Sequence, residues 1–207
     1  VAVVTGLMKK DSDVLNSIYG DEDPIPVIFQ SGYLTIKSYD KEFGLYRLGF
    51  PNREVEEGFA KFLIPFYTRF SKIEAPFEIQ KFVQEIRRGQ PEAFLKRLQG
   101  FFADTPYELV SDLELHYQNV LFIVYKLLGF YVQAEYHTSN GRIDMVLKTD
   151  RYIYVMEFKF DGSAEEALKQ IEEKGYAAPF ANDPRQLLKA GVNFSSKTRN
   201  IDCWVVD

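Results

Sequence analysis

The last hundred residues of this 207-residue chain predict an α/β sandwich. Three observations carry that expectation. Helical and strand-like segments follow one another in the order α-β-β-β-α-β-β, which suits a sheet with helices packed on it. Two helix starts are marked by capping boxes, Ser111-Asp112-Leu113-Glu114 and Ser163-Ala164-Glu165-Glu166, where a hydroxyl and a carboxylate satisfy orphan backbone N–H groups. Between them, Tyr152–Phe160 alternates as a strand with two distinct faces.

Taken in order, residues 1–70 predict a small helical and hairpin unit. Asp11–Tyr19 reads as a helix, capped by Asp11 or Ser12 and stopped by Gly20. Pro24 and Pro26 punctuate the chain before a short apolar run, Val27-Ile28-Phe29. Tyr33–Lys37 and Leu45–Phe50 are rich in β-branched and aromatic residues and predict two strands of a hairpin, with Ser38–Gly44 as the turn. Asn52 is placed to cap a helix over Arg53–Leu63, whose Val55, Phe59 and Leu63 recur at i, i+4, i+8. The outline is winged-helix-like.

Residues 71–104 predict a helical connector. Pro76 suits the first turn of a helix ending at Arg88 and Gly89, and Pro91 opens another over Glu92–Leu98 with Gly100 as its stop. Arg87, Arg88, Lys96 and Arg97 form the densest basic cluster in the chain, read as a solvated helix face in preference to a phosphate-binding stripe. Residues 105–207 hold the sandwich. Its first helix runs to Leu128 and stops at Gly129. Strands follow at Tyr131–His137, Arg142–Lys148 and Tyr152–Phe160. A helix then runs from Ser163 to about Lys174, followed by a short helix at Gln186–Leu188 and strands at Val192–Phe194 and Ile201–Val206.

Composition excludes several classes. With 46% hydrophobic and 27% charged residues the chain is not of the disordered type. A chain this long buries about 70% of its unfolded surface and needs no disulfides. Its single cysteine, Cys203, could form no internal one, and fits a reducing cytoplasm. Beside Trp204 it reads as a small buried hydrophobe. No apolar run approaches the ~20 residues of a membrane span, so no membrane partner is expected. Val1–Leu7 lacks the basic start of a secretory signal, and the opening valine predicts a piece of a longer protein. The net charge of −5 argues against coating nucleic acid by bulk positive charge. It leaves open a nucleic-acid enzyme with a carboxylate-rich site. Residues 1–104 carry −1 and residues 105–207 carry −4, so the acidity sits in the sandwich. Aromatic residues reach 15%, and most should be core.

The chemistry centres on Tyr152–Phe160. Alternation puts Ile153, Val155, Glu157 and Lys159 on one face, so an apolar face ends in two opposite charges. On the preceding strand Asp144 interrupts an otherwise apolar pattern. If the two strands are hairpin neighbours, Asp144 and Glu157 approach within a few ångströms, where two carboxylates repel unless a cation lies between them. A hard divalent ion, Mg²⁺ or Mn²⁺, answers that need with oxygen ligands from Asp144, Glu157 and the Phe158 carbonyl. Lys159 could then orient or deprotonate a water, or stabilise charge on a phosphate. That constellation implies metal-assisted phosphodiester hydrolysis. The same spacing also fits a plain same-face ion pair of Glu157 with Lys159, with Asp144 merely ending its strand.

Gly141-Arg142-Ile143-Asp144, Glu157-Phe158-Lys159 and Ala167-Leu168-Lys169-Gln170-Ile171 together resemble the PD-(D/E)XK nuclease superfamily over about Ser111 to Val206. In particular they resemble the nuclease-like domain at the C-terminus of a bacterial AAA-ATPase-like family. The resemblance implies a restriction-endonuclease-like αβββαβ core, metal ligation by Asp144 and Glu157, a catalytic Lys159, and a Gln170 on the following helix near the scissile strand. Tyr176 is similar to the Tyr of a Gln…Tyr pairing, at a longer spacing than usual. Phe29–Ile36 and Phe50–Val55 resemble the end of the ATPase-like region of the same family. There is no G-x-x-x-x-G-K-[ST], so this chain is not expected to bind ATP. An upstream ATPase region would be a partner within the same chain.

Other candidates are weighed beside these. Glu114 could be the metal-directed Glu that many members carry in the first core helix, but its capping role is preferred; Gln118 and Tyr117 lie further along that helix. His116 reads as a helix-surface residue. Glu135 is either an acid behind the metal ligands or an exposed one, and Lys174 a solvated lysine in preference to a phosphate contact. The first functional expectation is metal-dependent cleavage of nucleic acid, DNA before RNA. The alternative is a nuclease-like fold with little or no cleavage that binds nucleic acid or protein; a third is a structural or oligomerisation role. Domains of this type often pair, so an oligomer stays open.

Overall fold

The computed structural model describes residues 2–4, 25–67, 71, 73–103, 113–129, 131–139 and 142–207, with backbone alone at 2–4, 66, 135–139 and 142–144. The predicted helix at 11–19, the Ser111-Asp112 part of the first capping box and the Glu135 side chain lie outside the described residues.

The first unit is a three-stranded sheet in the order β1-β3-β2 with two helices beside it. Strand β1 (Ala2–Val4) pairs parallel with β3 (Leu45–Gly49), a strand the sequence did not announce. The hairpin of β2 (Thr35–Asp40) with β3 forms as expected, with a bulge between Ile36 and Ser38. The Val27-Ile28-Phe29 run lies in a short helix, α1 (Ile25–Gln30), which buries Ile28. Helix α2 (Arg53–Tyr67) starts where Asn52 predicts: the Val55 N–H donates to Asn52 Oδ1 at 2.9 Å.

Helices α3 (Ala75–Arg87) and α4 (Pro91–Ala103) follow. Gly89 ends α3 with φ +73° under the Tyr152 ring, where a Cβ would lie 2.5 Å from a ring carbon. Gly100 does not stop α4. Leu98, Phe101 and Phe102 are all buried at helical spacing, and that burial outweighs the ~1 kcal/mol cost of a mid-helix glycine.

The main sheet has five strands in the order β4-β5-β6-β7-β8. They are β4 (Gln133–Ser139), β5 (Arg142–Lys148), β6 (Tyr152–Phe160), β7 (Gln186–Ser195) and β8 (Asn200–Val206). Helix α5 (Leu113–Gly129) precedes β4, and α6 (Ala164–Glu173) crosses from β6 to β7. All neighbours are antiparallel except β6 and β7, which run parallel through that crossover. The predicted helix at Gln186–Leu188 is the start of β7: nine residues of parallel ladder with β6 override any local helical tendency. The result is a mixed α/β architecture consistent with the restriction-endonuclease-like expectation.

The two faces of β6 decide the layering. Tyr154, Met156 and Phe158 join one continuous core that also takes in α2, α3, α4 and α5. Its aromatic centre explains the high Phe and Tyr content. Phe102 meets Phe194 edge-on at 4.9 Å between centroids, and Tyr117 stacks on Phe194 at 4.6 Å. Polar ties sit at its rim: Tyr154 Oη donates to the Ile86 carbonyl at 2.5 Å, and Gln99 Nε2 to that of Ile201 at 2.8 Å. On the opposite face Ile153 and Val155 pack with Val146 and with Ile171 of α6. Among the described residues no helix is long and apolar enough to cross a membrane.

Two side chains depart from expectation. Cys203 is exposed, because β8 forms the sheet edge. His116 is buried, not a surface residue: its ring lies 5.9 Å from that of Tyr67 and 6.0 Å from that of Tyr117. Burial lowers its pKa from 6.5 to about 4. The unfolded chain therefore takes up a proton below pH 6.5 that the folded one refuses until about pH 4, so stability falls as pH drops through that window. In His116→Phe, the loss of stability between pH 7.5 and 4.5, read from urea melts, should shrink by about 2–3 kcal/mol relative to the parent.

Candidate active site at the end of the central strand

Strand β6 carries the site because its alternation is retained in three dimensions. Glu157, the third residue of the α6-facing series, has no solvent exposure at all. It occupies the middle of a three-strand ladder: Asp144 of β5 is its partner on one side and Gly191 of β7 on the other. Asp144 is thus directly opposite Glu157, at the Cα separation of about 4.5–5.5 Å that antiparallel partners have. Two residues on, Lys159 reaches back along the same face, with Nζ 3.7 Å from Glu157 Oε1. The ammonium also donates to Gln170 Oε1 of α6.

The position of Gln170 follows from how α6 is built and seated. Ser163 caps it, accepting from the Glu166 N–H at 3.0 Å as the capping box predicts. Ala164, Ala167 and Ile171 are fully buried and form the stripe that lies on the sheet. The helix comes so near β7 that a Cβ on Gly191 would stand 2.1 Å from the Ala164 carbonyl oxygen. Ahead of the helix, Asn193 Oδ1 accepts from the Gly162 N–H at 2.9 Å, and Asp161 Oδ1 from the Ser196 N–H at 2.7 Å. Asn193 is itself the ladder partner of Lys159 and is buried. Sequence reading missed Gly191 and Asn193. A glycine inside a strand pattern signals close backbone approach, but only the β6–β7 pairing shows which element approaches.

The other candidates fall elsewhere. Glu114 accepts from Gln118 Nε2 at 3.1 Å, one turn along α5. Tyr117 is core. Tyr176 packs in the small core with Val155 and Ile171. Lys174 is the C-cap residue of α6. In the basic cluster, Arg97 forks onto Glu85 at 2.6 and 2.9 Å and reaches Glu78 at 2.8 Å. It is a structural ion pair and part of no phosphate stripe.

Residues 112–204 match the family model described as the PD-(D/E)XK nuclease superfamily. This segment is a PD-(D/E)XK nuclease superfamily domain. A protein of Azotobacter chroococcum mcd 1, named "Uncharacterized protein in vnfD 5'region", is 29% identical over 211 residues. The similarity takes in 95% of this chain and 40% of that protein, so the chain spans about two fifths of its relative's length. No solved structure matches. The matched PD-(D/E)XK segment contains Asp144, Glu157, Lys159 and Gln170 together with Gly191 and Asn193.

The donor set at this end of β6 fits a hard divalent ion: a fully buried carboxylate, a carboxylate position opposite it in the ladder, and the Phe158 backbone carbonyl between Glu157 and Lys159. Every donor is oxygen.

The seat of α6 makes opposite forecasts for one substitution at two glycines. Gly191→Ala should lower stability by about 2 kcal/mol or more, since backbone atoms of Ala164 and Leu168 in α6 must move. Gly58→Ala, in α2 with nothing within 4 Å of its added Cβ, should raise it by about 0.5–1 kcal/mol. Denaturant melts of the two variants check both signs.

Proposed function

We propose that the PD-(D/E)XK domain hydrolyses phosphodiester bonds of nucleic acid, DNA before RNA, with Asp144, Glu157 and Lys159 as catalytic residues and Gln170 beside them. The observation that carries this reading is the Lys159 ammonium, set 3.7 Å from a fully buried carboxylate, bonded to Gln170, and one strand away from the Asp144 ladder position. A same-face ion pair alone would have no reason to bury Glu157 completely, because exposed pairs are as easily made and burying a charge is costly.

Asp144, Glu157 and the Phe158 carbonyl would hold Mg²⁺ or Mn²⁺. When bound, that ion supplies positive charge to an anionic reaction centre. The protein's own groups do the remainder. Lys159 has three N–H donors. One goes to Gln170, and one faces Glu157. The third is available to a phosphate oxygen, whose charge grows as water adds to phosphorus. The P–O bond to the leaving sugar oxygen then breaks, giving a phosphate monoester and a hydroxyl. With Lys159 as an ammonium donor, charge stabilisation suits its contacts better than proton abstraction. Gln170 fixes the lysine, and its amide N–H₂ remains to meet the strand being cut.

The proposal extends to the protein around this chain. The resemblance of Phe29–Ile36 and Phe50–Val55 to an ATPase-like region, together with the greater length of the Azotobacter relative, supports coupling to an ATPase in the cytoplasm. On that reading residues 1–70 are the end of the ATPase-like region and 71–104 join it to the nuclease. Helices α3 and α4 do so by sharing the core of the sheet.

The test is cleavage of single- and double-stranded DNA and of RNA in Mg²⁺ or Mn²⁺, with melting curves to show that each variant is folded. Asp144→Ala and Lys159→Ala should each slow cleavage at least about 100-fold. Cleavage that persists in both folded variants, or that is absent with every substrate and ion, overturns the assignment.

A further inference from the structure

The opposite end of the central strands opens into a cleft of about 460 Å³. Four separate segments converge on it: the end of α3, the turn between α5 and β4, the turn between β5 and β6, and the residue before β7. They bring Arg87, Lys148 and Arg185 into its lining, together with Tyr131, Thr149 and Asp150. In a chain of net charge −5 this is a local reversal of sign. Among the described lining residues the charged groups are Arg87, Lys148, Arg185 and Asp150, with Asp183 paired to Arg185 beside them.

The three cations are held in different ways. Arg185 is clamped: Nε and Nη2 fork onto Asp183 at 2.8 and 2.7 Å, while Nη1 donates to the Thr149 carbonyl at 3.0 Å. Lys148 lies with its ammonium 5.0 Å from the centre of the Phe180 ring. Arg87 donates from Nη2 to the Tyr131 carbonyl at 2.9 Å and meets no carboxylate among the described residues. That single bond orients the guanidinium and leaves most of its fork of donors for an anion. Such a fork matches two oxygens of a phosphate, and a lysine ammonium adds a point charge. The volume lies in the range of small-molecule sites and has room for more than a bare phosphate.

The cleft is apart from the Glu157 site. Lys148 is the ladder partner of Ile153, four residues from the Asp144–Glu157 pair. At ~3.3 Å per residue that is about 13 Å along the strands.

We propose that this cleft is a second site, which binds a phosphate ester through Arg87 and Lys148 against the fixed Arg185. Its ligand is a nucleotide or the backbone of a nucleic-acid strand, two sources of the same chemistry. The inference does not depend on hydrolysis at Glu157 and Lys159.

Calorimetric titration of the full 207-residue chain in EDTA tests it without cleavage. The probes are inorganic phosphate, a nucleoside 5′-monophosphate and a hexadeoxynucleotide. Arg87→Gln and Lys148→Gln should each weaken binding of the nucleotide probes at least about tenfold, and Arg87→Lys by less, since it keeps the charge and loses the fork. Lys81→Gln, at an exposed lysine of α3 that pairs with Glu78 and lies outside the cleft lining, should leave mononucleotide binding unchanged. The two cleft positions stand on separate elements, so a folding defect in one variant, seen by melting, leaves the other to decide. Equal affinity for mononucleotide and hexamer assigns a soluble nucleotide; tighter binding of the hexamer assigns a strand. Absence of binding by all three probes, or unchanged affinity in the folded variants, overturns the proposal.

Discussion

The structure turns on one costly arrangement, a carboxylate with no solvent exposure in the middle of a five-stranded sheet. Burying an isolated charge costs several kcal/mol even after relaxation, and a glutamate placed there without purpose would be replaced by an aliphatic residue at a gain. Lys159 answers part of the cost from 3.7 Å. To do so its long side chain must be held over the strand, which Gln170 achieves from α6. Glu157 therefore requires Lys159, Lys159 requires Gln170, and Gln170 requires α6 at its observed height above the sheet. That height exists only because β7 has a glycine at 191.

The opposite face of β6 supplies the rigidity this chain of dependences needs. Glu157 and Lys159 flank Phe158, which is packed among Phe102, Tyr117 and Phe194 in a dense aromatic cluster. Aromatic rings have few rotamers and large contact areas, so they hold a strand in place more firmly than flexible aliphatics. The helices of residues 75–103 belong to the same core. A disturbance there would reach the site through the strand.

Legibility in the sequence followed the range of the interactions. The β6 faces, the Ser163 cap and the Asn52 cap are set by neighbours within a few residues, and the chain shows them plainly. The pairing of Asp144 with Glu157 was also readable, because β5 and β6 are joined by a short turn and the register follows. The helix expected at 186–188 failed for the converse reason: those residues are fixed by β6, more than thirty positions away. Gly191 and Asn193 act through the same long-range parallel pairing, which local sequence does not show. The burial of His116 is not legible because helix α5 is covered on more than one side, Tyr67 of α2 lying against it; a helix buried all round has no polar face to reveal its orientation. The exposure of Cys203 is not legible because edge status depends on strand order, which alternation does not encode.

The acidity of residues 105–207 bears differently on a polyanionic ligand once charges are located. Glu165, Glu166, Glu172 and Glu173 lie on α6, where the buried stripe of Ala164, Ala167 and Ile171 points the other way. At physiological ionic strength, charges beyond about 8 Å are largely screened. The groups that matter to a phosphate are thus those within one Debye length: the Lys159 ammonium at one end of β6, and Arg87, Lys148 and Arg185 at the other. Net charge governs the slower business of encounter, since a −4 surface repels an approaching polyanion before the short-range contacts act. With attractive sites inside a repulsive envelope, affinity for a phosphate comes from short-range contacts and not from long-range steering.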